Sequence, residues 1–114
     1  MEQALLDSLT QRGMLEKEAV MYLTTLELGN APASSIARKA NIKRTTCYSI
    51  LRDFEQRGIA TSIMRKEIAY FSVVDPEILL KQLEDKYLTF KNNIPELQAL
   101  QAAAHSKLKI QYYE

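Results

Sequence analysis

Between Ser34 and Gly58 the chain reads SSIARKANIKRTTCYSILRDFEQRG, and the spacing of its small and apolar residues carries the argument outward. Ala37 is followed four residues later by Asn41, ten later by Cys47 and thirteen later by Ile50. That is the spacing of a helix-turn-helix: a small residue where two helices cross, a residue tolerant of a left-handed turn, then apolar contacts that seat the second helix. The first helix of the pair is expected from about Ala33 to Ala40, entered through Pro32 and broken at Asn41. The second is expected from about Arg44 to Arg57, with Gly58 supplying the left-handed residue beyond its end. At 100° per residue Cys47, Ile50, Leu51 and Phe54 share one face, while Thr45, Ser49, Arg52 and Gln56 point the other way.

Upstream, Ala4, Leu5, Leu6 and Leu9 predict a short amphipathic helix that stops at Gly13. A second helix is expected over Glu16–Leu28, with Ala19, Val20, Leu23 and Leu26 inward, Tyr22 at the edge and Gly29 as its stop. Downstream, Ile59–Met64 and Ile68–Val74 are rich in β-branched and aromatic residues and are separated by Arg65, Lys66 and Glu67, which predicts a two-stranded hairpin with a charged tip. Asp75-Pro76-Glu77 then starts a long helix. In it Leu80, Leu83, Tyr87, Phe90, Ile94, Leu97, Gln101, Ala104 and Leu108 alternate at spacings of 3 and 4, a heptad seam with one polar interruption. Pro95 is expected to kink that helix or divide it in two. Lys107–Glu114 alternates like a strand and reads as the start of an element outside this chain. The expected fold class is mainly α with a small β-hairpin, a winged helix-turn-helix followed by a coiled-coil-like helix. The expected division is 1–75 for the winged domain, 76–108 for a dimerisation helix or helix pair, and 109–114 for a tail.

The chain has 114 residues and a net charge of +1, inside the range of a single small globular domain. The near-neutral total conceals an uneven distribution. Residues 34–66 carry eight basic and two acidic side chains, a surplus of six, whereas the flanking segments are both net acidic. Such a footprint suits a polyanion. One cysteine, Cys47, and one histidine, His105, leave neither an intrachain disulfide nor the usual zinc spacing, so no metal or cofactor is expected. Cys47 lies on the apolar face of its helix and reads as a small buried hydrophobe rather than a redox sensor. No Gly-rich phosphate loop and no Ser/His/Asp set is present, which argues against an enzyme. With no apolar run near 20 residues and no signal-peptide layout, the expected location is the cytoplasm.

A helix of this width fits a major groove about 12 Å across. The DNA surface is therefore expected to comprise Arg44, Thr45, Thr46, Tyr48, Ser49 and Arg52, with Arg44 and Arg52 reaching guanine or clamping phosphate. Lys43, Ser34 and Ser35 sit at turn or helix-start positions suited to phosphate. Arg65 and Lys66 at the hairpin tip are placed to reach an adjacent minor groove or the backbone. Leu80, Leu83, Tyr87, Phe90, Ile94 and Leu97 form the expected dimerisation seam. The expected function is a sequence-specific, double-stranded DNA-binding transcriptional regulator acting as a homodimer. The alternative is a winged-helix module that makes protein contacts without specific DNA binding.

The segments Leu28-Gly29, Ser35–Arg38, Lys43–Leu51, Glu55–Ile59 and Tyr70–Val73 resemble the DNA-binding domain of TrmB-like transcriptional regulators over residues 5 to 90. That resemblance implies a winged domain followed by a coiled-coil dimerisation helix and, in longer members, a sugar-binding effector domain. It also implies that Arg44, Thr45 and Thr46 open the recognition helix and that Tyr48 and Leu51 seat it. Two positions depart from the family pattern: Leu15 stands where a threonine cap is usual, and Lys43 where a proline usually begins the recognition helix. No effector pocket is expected within these residues, and the effector is left unspecified.

Overall fold

The structure is a computed structural model that describes residues 3–113, with side chains described up to residue 107. The chain divides into two units, one up to Leu79 and one from Leu80. In the first unit, α1 (Gln3–Arg12), α2 (Glu16–Leu28), α3 (Ala33–Ala40) and α4 (Arg44–Gln56) are joined by short turns and followed by the hairpin β2 (Ala60–Arg65) and β3 (Ile68–Val73). The mainly helical winged architecture expected from the sequence is therefore present. The sheet has a third member: β1 (Ala31–Pro32) pairs antiparallel with β3, Ala31 opposite Phe71 and Pro32 opposite Tyr70, giving the order β1-β3-β2. Two residues are too few to show an alternation, so the sequence carried no strand signal there.

Three helices of this unit end in one hydrogen-bond pattern. Gly13 N–H reaches Thr10 O and Met14 N–H reaches Leu9 O after α1; Asn41 N–H reaches Arg38 O and Ile42 N–H reaches Ala37 O after α3; Gly58 N–H reaches Glu55 O and Ile59 N–H reaches Phe54 O after α4. Each is the paired closure of a Schellman turn, which satisfies carbonyls the helix leaves open and drives the next apolar residue back onto it. Asn41 occupies the left-handed region at φ 56°, ψ 47°, so the turn of the helix-turn-helix has the conformation its residue type allows.

The core gathers around α2, which meets α1, α3, α4 and β3. That central position buries α2 more broadly than a one-sided helix. Met21, Tyr22, Thr24 and Thr25 are enclosed with Ala19, whereas Val20 and Leu23 are only half-buried and Leu26 is at the surface, which corrects the expected inward set. Tyr22 donates its hydroxyl to the Val74 carbonyl at 2.7 Å and fastens the end of β3 to α2. Burial, then the neighbouring Asp75 carboxylate, pushes its phenol up to about 12. Ile36, Cys47, Leu51, Phe54, Ile59 and Phe71 complete the core. Cys47 is fully enclosed and burial pushes its thiol up to about 11, so it stays protonated and inert near neutrality.

The hairpin closes through Lys66 and Glu67 alone, with Arg65 opposite Ile68, so its tip is a two-residue turn and not the three-residue loop expected. Both residues have positive φ, 49° and 66°. A right-handed twist requires such a turn, which normally selects Asn-Gly.

Helix α5 (Pro76–Tyr113), whose residues from Leu80 onward make up the second unit, continues through Pro95 as one helix of 38 residues, so of the two expected outcomes, a kink or a division, the division does not occur. Proline removes one amide from the ladder but does not by itself end a helix this long. Residues 107–113 extend the same helix, so the strand-like alternation of the tail was a short coincidence within helical spacing. Leu80, Leu83, Tyr87, Phe90 and Leu97 are exposed along the seam and Ile94 is half-buried. The side chain of Leu108 and the residue Glu114 lie outside the described residues. Among the described residues no helix is long and apolar enough to cross a membrane, and no cluster of His, Cys, Asp or Glu is placed to hold a metal ion.

Candidate nucleic-acid interface

Helix α4 turns Cys47, Leu51 and Phe54 into the core and leaves Arg44, Thr45, Tyr48 and Ser49 exposed, with Thr46 half-buried. Its N-terminus begins at Lys43 with no side-chain cap and no acidic residue in the first turn. The amides of that turn, at the positive end of the helix dipole, remain open toward an anion. Helix α3 likewise starts at Pro32 without a side-chain cap, and Ser34 and Ser35 are half-buried in its first turn.

Two clefts flank the start of α4. The first, about 350 Å³, lies between α4 and the hairpin and brings Ser34, Arg44, Tyr48 and Arg52 together with Met64 and Ile68. The second, shallower and about 460 Å³, lies between α3 and α4 and gathers Ser34, Arg38, Asn41, Lys43 and Arg44. Ser34 and Arg44 border both. Arg38 is a cleft residue that sequence reasoning passed over; its place in the last turn before Asn41 was the available signal. Ser35, Thr45, Thr46, Ser49, Arg65 and Lys66 line neither cleft, the last two standing at the hairpin's far end.

Charge pairing sorts the basic segment. Lys39 is tied to Glu27 at 3.0 Å, and Arg57 to Glu18 at 2.7 Å and Asp53 at 3.1 Å. Among the described residues no carboxylate pairs with Arg38, Lys43, Arg44, Arg65 or Lys66. Arg65 lies over the Tyr70 ring at 5.4 Å, which fixes its stem along the hairpin.

Arg52 departs from the free guanidinium expected of a guanine or phosphate contact. Its Nη1 donates to Glu55 Oε1 at 2.6 Å and its Nη2 donates to the Tyr48 hydroxyl at 2.7 Å. The guanidinium carbon sits 4.9 Å from the Tyr48 ring centre and 5.1 Å from that of Phe71, while the two rings meet edge-on at 5.9 Å. These hydrogen bonds, to Tyr48 first and to Glu55 second, hold Arg52 above the usual arginine range. Burial favours a protonated Glu55, but hydrogen bonds from Ser62 and Arg52 outweigh it and hold this carboxyl below its ordinary value. The spacing of Tyr48 and Glu55, four before and three after Arg52, is visible in the sequence; the approach of Phe71 and Ser62 is not.

The model "Sugar-specific transcriptional regulator TrmB" matches residues 5–77, more than half of the chain. The chain belongs to the TrmB family. Members of the TrmB family are DNA-binding transcriptional regulators, a non-enzymatic family. Over 89 residues this TrmB-family chain is 26% identical to the HTH-type sugar sensing transcriptional regulator TrmBL1 of Pyrococcus furiosus, a match covering 78% of the chain and 26% of that relative. It therefore spans about a quarter of the curated relative's length. In fold it is similar to TrmBL2, described as an archaeal chromatin protein with a novel mode of DNA binding, with a TM-score of 0.75 at 19% identity over 96% of this chain and 41% of that one. A MarR family transcriptional regulator from Silicibacter pomeroyi shares the architecture more distantly, with a TM-score of 0.54 at 12% identity over 92% of this chain and 82% of that one.

Proposed function

We propose that this chain reads specific double-stranded DNA as a homodimer, with α4 in the major groove and the hairpin against the neighbouring backbone. The observation that carries the reading is the start of α4: open first-turn amides beside Lys43 and Arg44, neither paired with a carboxylate among the described residues. In that pose Arg44, Thr45 and Ser49 face base edges, and Tyr48 and Thr46 lie along the same strand. Lys43, Ser34 and Ser35 hold phosphates, and Arg65 and Lys66 hold backbone beyond the groove. A cytoplasmic site of action accompanies this reading. Sugar sensing, which the Pyrococcus relative's name describes, would belong to a longer protein carrying an effector domain.

The exposed seam of Leu80, Leu83, Tyr87, Phe90 and Leu97 supports pairing with a second copy, because these side chains otherwise remain in water. Two such domains would read an inverted repeat with half-sites one or two helical turns apart.

The test is anisotropy on duplexes selected from a random pool, titrated with salt. About six phosphate contacts give a log–log slope near −5. No measurable affinity at low salt would overturn the DNA reading and favour the protein-contact alternative. Sedimentation should show a dimer at tens of micromolar that Phe90→Glu dissociates; a monomeric parent chain would refute the seam.

A further inference from the structure

Resting on the DNA reading above, we infer that Arg52 is a positioning residue: it turns the exposed Tyr48 hydroxyl into a hydrogen-bond donor aimed at an acceptor on the DNA, and does not itself contact DNA. A guanidinium has five donors and no acceptor, so in the 2.7 Å contact with Arg52 Nη2 the Tyr48 oxygen must accept. The phenol's own hydrogen is left for another partner, and among the described residues Tyr48 donates to none. A cationic donor polarises the oxygen and strengthens that O–H as a donor.

The rest of the arrangement holds the phenol in place. Tyr48 is 43% exposed, yet its ring is gripped by Arg52 on one side and meets the fully buried Phe71 edge-on. Arg52 in turn is anchored by Glu55, whose second oxygen accepts from Ser62 Oγ at 2.8 Å. The chain of contacts runs from the hairpin through Ser62, Glu55 and Arg52 to Tyr48, so the recognition helix and the hairpin present their DNA-facing groups in one fixed register. The acceptor is a phosphodiester oxygen or a base acceptor such as guanine O6 or N7; the two share the same chemistry.

Tyr48→Phe, Arg52→Met, Arg52→Lys and the Tyr48→Phe/Arg52→Met double variant, with urea midpoints recorded for each, test this by anisotropy on a selected duplex and a panel of altered sequences. Tyr48→Phe is expected to weaken binding about five- to tenfold, the worth of one hydrogen bond. Arg52→Met, which keeps the apolar stem against the rings, should lose a similar factor with an unchanged salt slope. The double variant should lose no more than either alone. Arg52→Lys should fail to restore affinity, because an ammonium lacks the fork that reaches Glu55 and Tyr48 together. Equal Tyr48→Phe losses on all sequences identify a phosphate oxygen as the acceptor; a loss confined to one base-pair identity identifies a base.

A salt slope shallower by about 0.9 in Arg52→Met would mean that Arg52 itself neutralises a phosphate and would overturn the inference. So would multiplying losses in the double variant, or wild-type affinity in Tyr48→Phe. If Arg52→Met does not fold, Tyr48→Phe, which keeps the ring packing, decides alone. A parent chain that binds no duplex removes the DNA reading first, an outcome distinct from a parent that binds and is indifferent to Tyr48.

Discussion

The helices of the first unit finish and begin in opposite ways. After α1, α3 and α4 the open carbonyls are closed within the chain by paired backbone bonds, and the residue that follows each turn, Met14, Ile42 or Ile59, folds back toward the core. At the start of α2, α3 and α4 no side chain caps the helix: Leu15, Pro32 and Lys43 have no oxygen to offer. The C-terminal ends are devices of folding, fixed by a residue that tolerates the left-handed region. The N-terminal ends divide. At α2, Glu18 accepts the Leu15 amide at 2.9 Å and also holds Arg57, so that end has half of a capping box and serves structure. At α3 and α4 the open amides border the clefts that Ser34 and Arg44 share, and on the proposed reading they are completed by phosphate.

The largest effects should come from the closed ends. Asn41→Val and Gly58→Val each force a β-branched residue to adopt positive φ, and each should cost about 2 kcal/mol of stability. Chemical denaturation would show this as a lower midpoint at unchanged slope. Asn41→Gly should be neutral or stabilising. A large loss from Asn41→Gly would mean that the Asn side chain, not its backbone, holds the turn.

The open ends separate under one substitution made twice. Leu15→Ser completes the capping box, since a serine oxygen can accept the Glu18 amide; with Leu15 71% exposed, little packing is lost. It should stabilise by about 1 kcal/mol and leave DNA affinity unchanged. Lys43→Ser should stabilise by a similar or smaller amount while weakening DNA binding at least fivefold, because it removes a charge and supplies an internal competitor for amides proposed to hold phosphate. Paired melting and anisotropy measurements check both. If Lys43→Ser binds as well as the parent, the α4 end is merely uncapped and the distinction between the two starts fails.

What the sequence disclosed and withheld follows the same division. The turns at Gly13, Asn41 and Gly58 were legible because a left-handed residue leaves a local mark, and the apolar face of α4 because a helix packed on one side has a clear period. The burial of Thr24 and Thr25 was not, since α2 is surrounded and surrounding erases the period. Strand β1 was too short to alternate. The candidate site shows a similar limit. Its unpaired cations, Lys43 and Arg44, could be read from charge and position, but the support behind Arg52 could not: Phe71 packs against its guanidinium and Ser62 anchors its partner Glu55, and only the folded hairpin brings these two near. Continuous helix through Pro95 and residues 107–113 shows length outweighing two local signals, a proline and a brief alternation.

The hairpin tip offers the smallest and most discriminating test of whether open geometry serves DNA. Lys66 and Glu67 both occupy positive φ, where side chains with a Cβ are disfavoured by roughly 1 kcal/mol or more. Glu67→Gly relieves one of these positions while making the unfolded chain more flexible, so the net gain should be about 0.5 kcal/mol. The same change removes an anionic side chain from the tip that carries Arg65 and Lys66, and should therefore tighten DNA binding two- to threefold, equally on specific and random duplexes, with the gain fading as salt rises. A stability gain without any change in affinity would place the tip outside the bound DNA's reach. A gain in affinity confined to one sequence would instead make Glu67 a discriminating residue that rejects some sites by repulsion.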